Sequence, residues 1–232
     1  MAYFAMGDLH LSGNPPKKPM DVFGSHWENH HLKILANWQE TITEKDTVFL
    51  VGDFSWAMRL NEAKEDLDSI IALPGRKILI RGNHDYWWSS QNKMKTLTEN
   101  KLIFLQANAI ALDNCLVGGS RGYMCPGDQN YNAEKDDSIY RRELLRVEMA
   151  LEEMTKLPQT GPKILLLHYP PFNEKHEASG FTDLLEKYDV DHCIYGHLHS
   201  FSENNVLPTK WKNTQLHLVS SNFLDFKFKK IL

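Results

Sequence analysis

The stretch that decides the fold is residues 77–85, which read KILIRGNHD. The apolar run Lys77–Ile80 has the length and character of a strand that is covered on both faces. Directly after it, Gly82-Asn83-His84-Asp85 places an amide, an imidazole and a carboxylate at the strand end. In an open α/β sheet, ligands bind beyond the carboxyl ends of the strands. This stretch therefore predicts both a strand of an α/β sheet and one side of a binding crevice.

Four other apolar runs end in the same way. Each is followed by Asp or His, in the groups Asp8-Leu9-His10, Gly52-Asp53, His168 and Gly196-His197-Leu198-His199. The side chains of residues i and i+2 of an extended chain point the same way. Asp8 and His10 can therefore bind one target, and so can His197 and His199. Glycine before Asp53, Asn83 and His197 suits a backbone that turns sharply or approaches another segment closely.

The remaining pattern alternates strands with amphipathic segments, which is typical of an α/β domain. Predicted strands are Ala2–Met6, Thr47–Val51, Lys77–Ile80, Leu102–Leu105, Cys115–Val117, Lys163–Leu167, His192–Tyr195 and Leu216–Val219. Helical periodicity predicts buried faces within His31–Ile42, Leu67–Ile71, Leu144–Met154 and Phe181–Tyr188. The third of these helices is predicted to begin near Ser138 and to end at Pro158. We expect a single domain over residues 1–232, with irregular insert loops at about 11–26, 118–137 and 200–215.

Composition excludes several classes of protein. The 232 residues carry 26 basic and 30 acidic side chains, a formal charge of −4, which makes nucleic acid an unlikely partner. The three cysteines, Cys115, Cys125 and Cys193, have no CxxC spacing, which argues against a thiolate zinc site and predicts a cytoplasmic protein. No signal peptide precedes the first strand and no apolar run approaches 18 residues, so no membrane association is expected. Nothing in the composition indicates an oligomeric state.

The polar groups at the strand ends select the chemistry of the crevice. Together they offer two carboxylates, one amide oxygen and four imidazoles, which are too many ligands for one metal ion and about right for two. The absence of thiolate favours Mn, Fe, Zn, Co or Ni. Two such ions would clamp a phosphate and lower the pKa of a bridging water, whose hydroxide attacks phosphorus in line. No G-x-S-x-G or Walker motif offers a competing mechanism.

The order of these groups resembles the calcineurin-like metallophosphoesterase family. That family's pattern runs DxH, GD, GNH[ED], H and GHxH, and this sequence presents DLH, GD, GNHD, HY and GHLH between Asp8 and His199. The resemblance implies an α/β fold of two mixed β-sheets packed face to face with helices outside. It also implies two bound metal ions, for which Mn is favoured, and a small-molecule phosphoester substrate.

The resemblance assigns a role to each matching residue. It places Asp8, His10 and His199 on one metal, Asn83, His168 and His197 on the other, and Asp53 between them. His84 would act on the oxygen of the leaving group, and Asp85 would orient or charge-stabilise the His84 imidazole.

The surroundings of these motifs bear on the substrate. In protein phosphatases of the family, the second motif resembles GDxVDRG and the third is usually GNHE. This chain instead has GDFSWAMR from Gly52 and GNHD from Gly82. Both departures disfavour a protein substrate, so we expect a small or nucleotide-like ester, with monoester and diester both open. Tyr86 and Arg121 are candidate substrate contacts, although the aromatic run 86–88 suits core packing equally well. Two alternatives remain: a metal-retaining binding or scaffold module without hydrolysis, and a nuclease with the same chemistry.

Overall fold

A computed structural model describes residues 1–199 and 207–232. In these residues the chain forms two compact units, Met1–Phe104 with Val219–Leu232, and Leu105–Leu218. The helices are α1 (His30–Thr41), α2 (Lys64–Ile71), α3 (Gln91–Leu97), α4 (Ala133–Lys156) and α5 (Gly180–Lys187), with 3-10 helices at Met20–Phe23 and Ser25–Trp27. The strands are β1 (Tyr3–Met6), β2 (Thr47–Val51), β3 (Arg76–Ile80), β4 (Ile103–Leu105), β5 (Asn108–Ala111), β6 (Leu116–Gly119), β7 (Lys163–Leu166), β8 (His192–Tyr195), β9 (Lys210–Trp211), β10 (Thr214–Leu218) and β11 (Lys229–Lys230).

The first unit is built around a sheet with the strand order β11-β1-β2-β3-β4. β1, β2 and β3 run parallel, and β11 pairs antiparallel with β1. All residues of β1 and β2 are buried, as the continuous apolar runs predict for strands covered on both faces. Trp38 of α1 and Phe49 of β2 are fully buried. The parallel strands bring the ends of β1, β2 and β3 to one edge of this sheet.

The second unit is built around a sheet with the order β5-β6-β7-β8-β10-β9. β6, β7, β8 and β10 run parallel, and the flanking strands β5 and β9 are antiparallel to their neighbours. α5 begins at a capping box in which the Ser179 hydroxyl accepts backbone N–H groups and the Thr182 hydroxyl reaches back to the Ser179 N–H. Two mixed sheets flanked by helices confirm the predicted α/β fold class. Within the described ranges, no helix is both long and apolar enough to cross a membrane.

Several sequence predictions need correction. α4 begins at Ala133 rather than near Ser138. Its first three residues are exposed and carry no large apolar side chain, and the Asp136 carboxylate accepts the Asn132 N–H at 2.8 Å. α1 buries His30 and Ile34 in place of the predicted His31 and Leu35, whereas Trp38 and Ile42 are buried as predicted. The sequence analysis also missed α3, β5, β9 and β11, which are short and carry no strong periodicity.

The three predicted insert loops contain regular structure. Residues 11–26 include the 3-10 helix at Met20–Phe23, and residues 118–137 include the end of β6 and the first turn of α4. Residues 207–215 include β9 and the start of β10, whereas the rest of the third segment, 200–206, lies outside the described residues.

Candidate functional site

The loops after β1 and β2 hold three predicted metal ligands in a left-handed backbone conformation. The φ angles are 59° at Asp8, 47° at His10 and 50° at Asp53. Such angles cost a non-glycine residue about 1–3 kcal/mol and persist only where the surrounding structure enforces them. The enforcement comes from hydrogen bonds between the loops, because the Asp8 N–H donates to the Gly52 carbonyl at 2.9 Å and the His10 N–H donates to the Asp53 carbonyl at 3.0 Å.

The three side chains lie close together and are shielded from water. Asp8, His10 and Asp53 are each no more than 2 % exposed. Asp8 offers a carboxylate oxygen within 4.8 Å of a ring nitrogen of His10 and of a carboxylate oxygen of Asp53. Two buried carboxylates at this separation repel each other and need positive charge nearby. The donor set therefore fits a divalent metal ion that prefers oxygen and nitrogen ligands.

The GNHD loop after β3 is fastened to Asp53. The His84 N–H donates to Asp53 Oδ1 at 2.7 Å. Gly82 is required for this approach, because a Cβ at that position would lie 2.1 Å from the same oxygen. Asn83, between them, is partly exposed. The predicted reason for glycine at this position is thus correct, and the loops after β1, β2 and β3 form one hydrogen-bonded assembly.

Asp85 is the buried anchor of this assembly. Its Oδ1 accepts the N–H groups of Phe54 and Ser55 and the Trp87 indole N–H, while its Oδ2 accepts the Gly82 N–H at 2.7 Å. Burial and the negative charge of Asp53 raise the pKa of Asp85 to about 6. The expectation that Asp85 orients or charge-stabilises the His84 imidazole stays a prediction, since all four of these hydrogen bonds go to other groups. The carboxylate holds the loop that carries His84.

The His84 ring is flanked by aromatic side chains. Its centroid lies 4.7 Å from the Trp56 ring and 6.4 Å from the Tyr86 ring. Trp56 also stacks on His10, with centroids 4.8 Å apart. Tyr86 is 54 % exposed and free to meet a ligand, whereas Trp87 and Trp88 are buried in the core. The run 86–88 therefore divides between a surface residue and two core residues.

Two residues that the sequence analysis missed support the Asp8–His10 loop. His30 is buried, and its Nε2 lies 3.0 Å from the carbonyl of Leu9, which stands between the predicted ligands Asp8 and His10. Burial lowers the pKa of His30, so the neutral ring donates this hydrogen bond. Trp56 is the second. Neither residue belongs to a motif, and only its position in the folded chain reveals its contacts.

The second unit places predicted ligands at the ends of β7 and β8. His168 is fully buried, and its ring centroid lies 5.1 Å from that of His197. The Gly196 N–H donates to the His168 carbonyl at 3.0 Å, which fixes the two strand ends side by side. His197 has a φ angle of 72°, so a left-handed residue recurs at this strand end. His199 is exposed and directly precedes the undescribed residues 200–206.

Arg121 lies beside His168 through its backbone. Its carbonyl accepts the N–H groups of His168 at 2.9 Å and Tyr169 at 3.1 Å. Its guanidinium lies 3.5 Å from Glu143, which is fully buried and also pairs with Arg146 at 2.7 Å. The side chain of this candidate substrate contact thus rests on a buried carboxylate.

Comparison with known proteins gives a family. The sequence model described as calcineurin-like phosphoesterase matches residues 1–201. An uncharacterised protein of Methanocaldococcus jannaschii is 33 % identical over 61 residues, which are 26 % of this chain and 34 % of the relative. The chain thus matches about a third of the length of that curated relative.

Solved structures resemble the whole chain. Phosphopantetheinyl hydrolase from Mycobacterium tuberculosis has a TM-score of 0.60 at 15 % identity, covering 100 % of this chain and 95 % of its own. A protein of unknown function from Aquifex aeolicus has a TM-score of 0.53 at 18 % identity, covering 99 % and 95 %. At these identities the likeness shows the fold alone. The family model, in contrast, spans most of the sequence, including the loops after β1, β2 and β3, and the chain belongs to the calcineurin-like phosphoesterases.

Proposed function

We propose that this chain is a dinuclear-metal phosphoesterase. Family membership makes metal-dependent phosphoester hydrolysis the expected activity. The observation that carries the proposal is the assembly of Asp8, His10 and Asp53, three buried donors on a strained backbone, with Asp8 within 4.8 Å of each of the other two. If the cluster had only a structural role, burying two carboxylates beside an imidazole would cost desolvation free energy without a compensating interaction.

The proposed ligands divide into two sets joined by one carboxylate. Asp8, His10 and His199 would hold one ion, Asn83, His168 and His197 the other, and Asp53 would contact both. The support is the donor chemistry at five strand ends, in the order that the family pattern requires. Manganese is the favoured metal, with Fe, Zn, Co and Ni as the other candidates. When bound, the ions would polarise the phosphoester and lower the pKa of a water molecule that attacks phosphorus.

His84 is the proposed proton donor to the departing oxygen. Its backbone is fixed on Asp53, while its ring is only partly buried and can therefore meet a substrate. A proton donor must lie within about 2.6–3.2 Å of the oxygen that it protonates. Trp56 limits the positions of the imidazole, and Asp85 acts indirectly by holding the GNHD loop.

The proposed substrate is a small or nucleotide-like phosphoester, either a monoester or a diester. Tyr86, exposed beside His84, and Arg121, beside His168, remain the proposed substrate contacts. The hydrolase from Mycobacterium tuberculosis shares the fold and acts, by its name, on a phosphopantetheinyl group, which is one small ester to include in a substrate panel. All three cysteines are free thiols, in keeping with the proposed cytoplasmic location.

The test is hydrolysis by protein reconstituted with Mn²⁺. We expect turnover of 4-nitrophenyl phosphate or its bis ester, abolished by EDTA and restored by Mn²⁺. Asp53→Asn should lower kcat/KM by about 1,000-fold, because a metal clamp contributes several kcal/mol. Asp68→Asn is the matched control, since Asp68 is exposed and pairs with Lys64. Activity that survives both EDTA and Asp53→Asn would contradict the proposal, as would no hydrolysis across a panel of phosphoesters.

A further inference from the structure

A small pocket in the first unit adjoins the residues around His84. Its volume is about 200 Å³, and its lining consists of Ser12, Gly13, Lys17, Lys18, Trp56, Ala57, Met58, Glu62 and Asp66. Clefts that bury a whole drug-sized ligand measure roughly 300–1,000 Å³. The pocket therefore suits one part of a substrate, and its apolar floor with a polar rim is typical of a binding site.

The wall of the pocket is built by hydrogen bonds from α2. The buried Asp66 accepts the Gly13 N–H at 2.8 Å and the Ser55 hydroxyl. Glu65 accepts the Asn14 N–H at 3.0 Å and pairs with Lys17 at 3.3 Å. These contacts hold the segment 12–18 against the helix, so the shape of the pocket does not depend on a ligand.

Lys18 lines the pocket but forms no ion pair within the described residues. Its Nζ donates to the Trp56 carbonyl at 3.2 Å and lies 5.9 Å from the centroid of the Trp56 ring. Among residues 1–199 and 207–232, no carboxylate lies within ion-pair distance of Lys18. Lys17, in contrast, pairs with Glu65, and Glu62 is engaged with the N–H groups of Met58 and Arg59. Lys18 is therefore the cation of the lining without an ion-pair partner among the described residues, while the lining carboxylates Glu62 and Asp66 accept N–H and hydroxyl groups.

Trp56 links this pocket to the chemistry. Its ring contacts His84, the proposed donor to the departing oxygen, and the group attached to that oxygen must lie on the same side of the phosphorus as His84. We propose that the pocket receives the leaving group and that Lys18 selects leaving groups with a second negative charge, an inference that rests on the proposed function. A carboxylate or a further phosphoryl group would satisfy this site.

The experiment compares two esters that differ only in that charge. 4-(Carboxymethyl)phenyl phosphate and 4-(carbamoylmethyl)phenyl phosphate have nearly the same shape, and the methylene insulates the reacting oxygen from the substituent. With Mn²⁺-loaded protein we expect kcat/KM to favour the acid by about fivefold, the scale of a charge pair at an exposed site. Lys18→Met should bring the ratio to about one, whereas Lys18→Arg should retain it.

Lys101→Met is the control, since Lys101 is exposed in the same unit, pairs with Glu99 and lies outside the pocket lining. Because the readout is a ratio within each variant, a general loss of activity cancels. A ratio near one in the unsubstituted protein, or an unchanged ratio in Lys18→Met, would overturn the leaving-group pocket.

Binding separates this inference from the proposed function. Calorimetric titration of the Mn²⁺-loaded protein with 4-hydroxyphenylacetate and its amide measures the pocket without turnover. Preference for the acid that Lys18→Met removes would support the pocket even if neither ester were hydrolysed, in which case only the proposed function fails. Hydrolysis of both esters with no preference in either assay would retain the proposed function and overturn the pocket.

Discussion

The loops of the first unit and the strand ends of the second present predicted ligands in different ways. In the first, Asp8, His10 and Asp53 all have left-handed φ angles and are held by hydrogen bonds between three loops. In the second, His168 lies two residues after the regular strand β7, and of the described predicted ligands only His197 has a positive φ angle.

This difference shows two ways in which the chain fixes the positions of the predicted ligands. The loop assembly has a cost in backbone strain, and it depends on residues outside the proposed ligand set, such as Gly82, Asp85 and His30. The strand ends obtain their geometry from the sheet, where backbone pairing already fixes the spacing of β7 and β8. Substitutions behind the ligands should therefore be more damaging in the first unit than in the second.

Among substitutions of residues outside the proposed ligand set, the largest expected effect comes from Gly82→Ala. The added methyl would occupy space within 2.1 Å of Asp53 Oδ1, so the GNHD loop must move away from Asp53. We expect kcat/KM to fall at least about 100-fold, the upper range for loss of support behind a metal ligand. Steady-state kinetics and Mn²⁺ titration would measure the effect. Gly24→Ala is the control for backbone strain alone, because its φ angle of 125° strains an alanine while the methyl meets nothing within 4 Å. We expect it to retain activity, and equal losses of activity in both variants would contradict the role of Gly82.

A smaller effect is expected for His30→Phe. The substitution keeps the ring but removes the hydrogen bond to the Leu9 carbonyl, which would leave a buried acceptor unsatisfied at a cost of about 1–3 kcal/mol. Urea unfolding should show that loss in the free energy of unfolding, and activity should fall about tenfold as the Asp8–His10 loop loosens. His31→Phe, at the neighbouring and less buried position, is the control. A stable and fully active His30→Phe protein would contradict the supporting role.

The smallest effect is expected in the second unit. Arg121→Met removes one guanidinium from Glu143, but Arg146 remains 2.7 Å from that carboxylate. The free energy of unfolding should fall by about 1 kcal/mol, because the 3.5 Å contact is long and Arg146 still pairs with the buried Glu143 carboxylate. A rise in KM with little change in kcat would support the proposed substrate contact. Arg142→Met provides the comparison, since Arg142 lies 3.7 Å from Glu143 and is more exposed. Equal KM values in the two variants would contradict a substrate contact by Arg121.

The sequence predicts the strand ends well because a simple rule governs them. Apolar runs fix β2 and β8 to the residue, and the polar groups after each run mark the candidate ligands. The rule does not extend to contacts between loops. Nothing around His30 distinguishes a buried support from a surface histidine, and Trp56 matters only because the fold brings its ring onto His10 and His84. The first turn of α4 was not predicted for a related reason. No large apolar residue marks it, and it is fixed by the hydrogen bond from the Asn132 N–H to the Asp136 carboxylate.

The central claim is that seven side chains from five strand ends hold two metal ions around Asp53. Its most direct test is metal counting combined with electron paramagnetic resonance on the Mn²⁺-reconstituted protein. The account predicts two Mn²⁺ per chain with an exchange-coupled spectrum, and loss of the coupling in Asp53→Asn but not in Asp68→Asn. A single bound ion, or two ions with the spectrum of isolated Mn²⁺ in the unsubstituted protein, would contradict it.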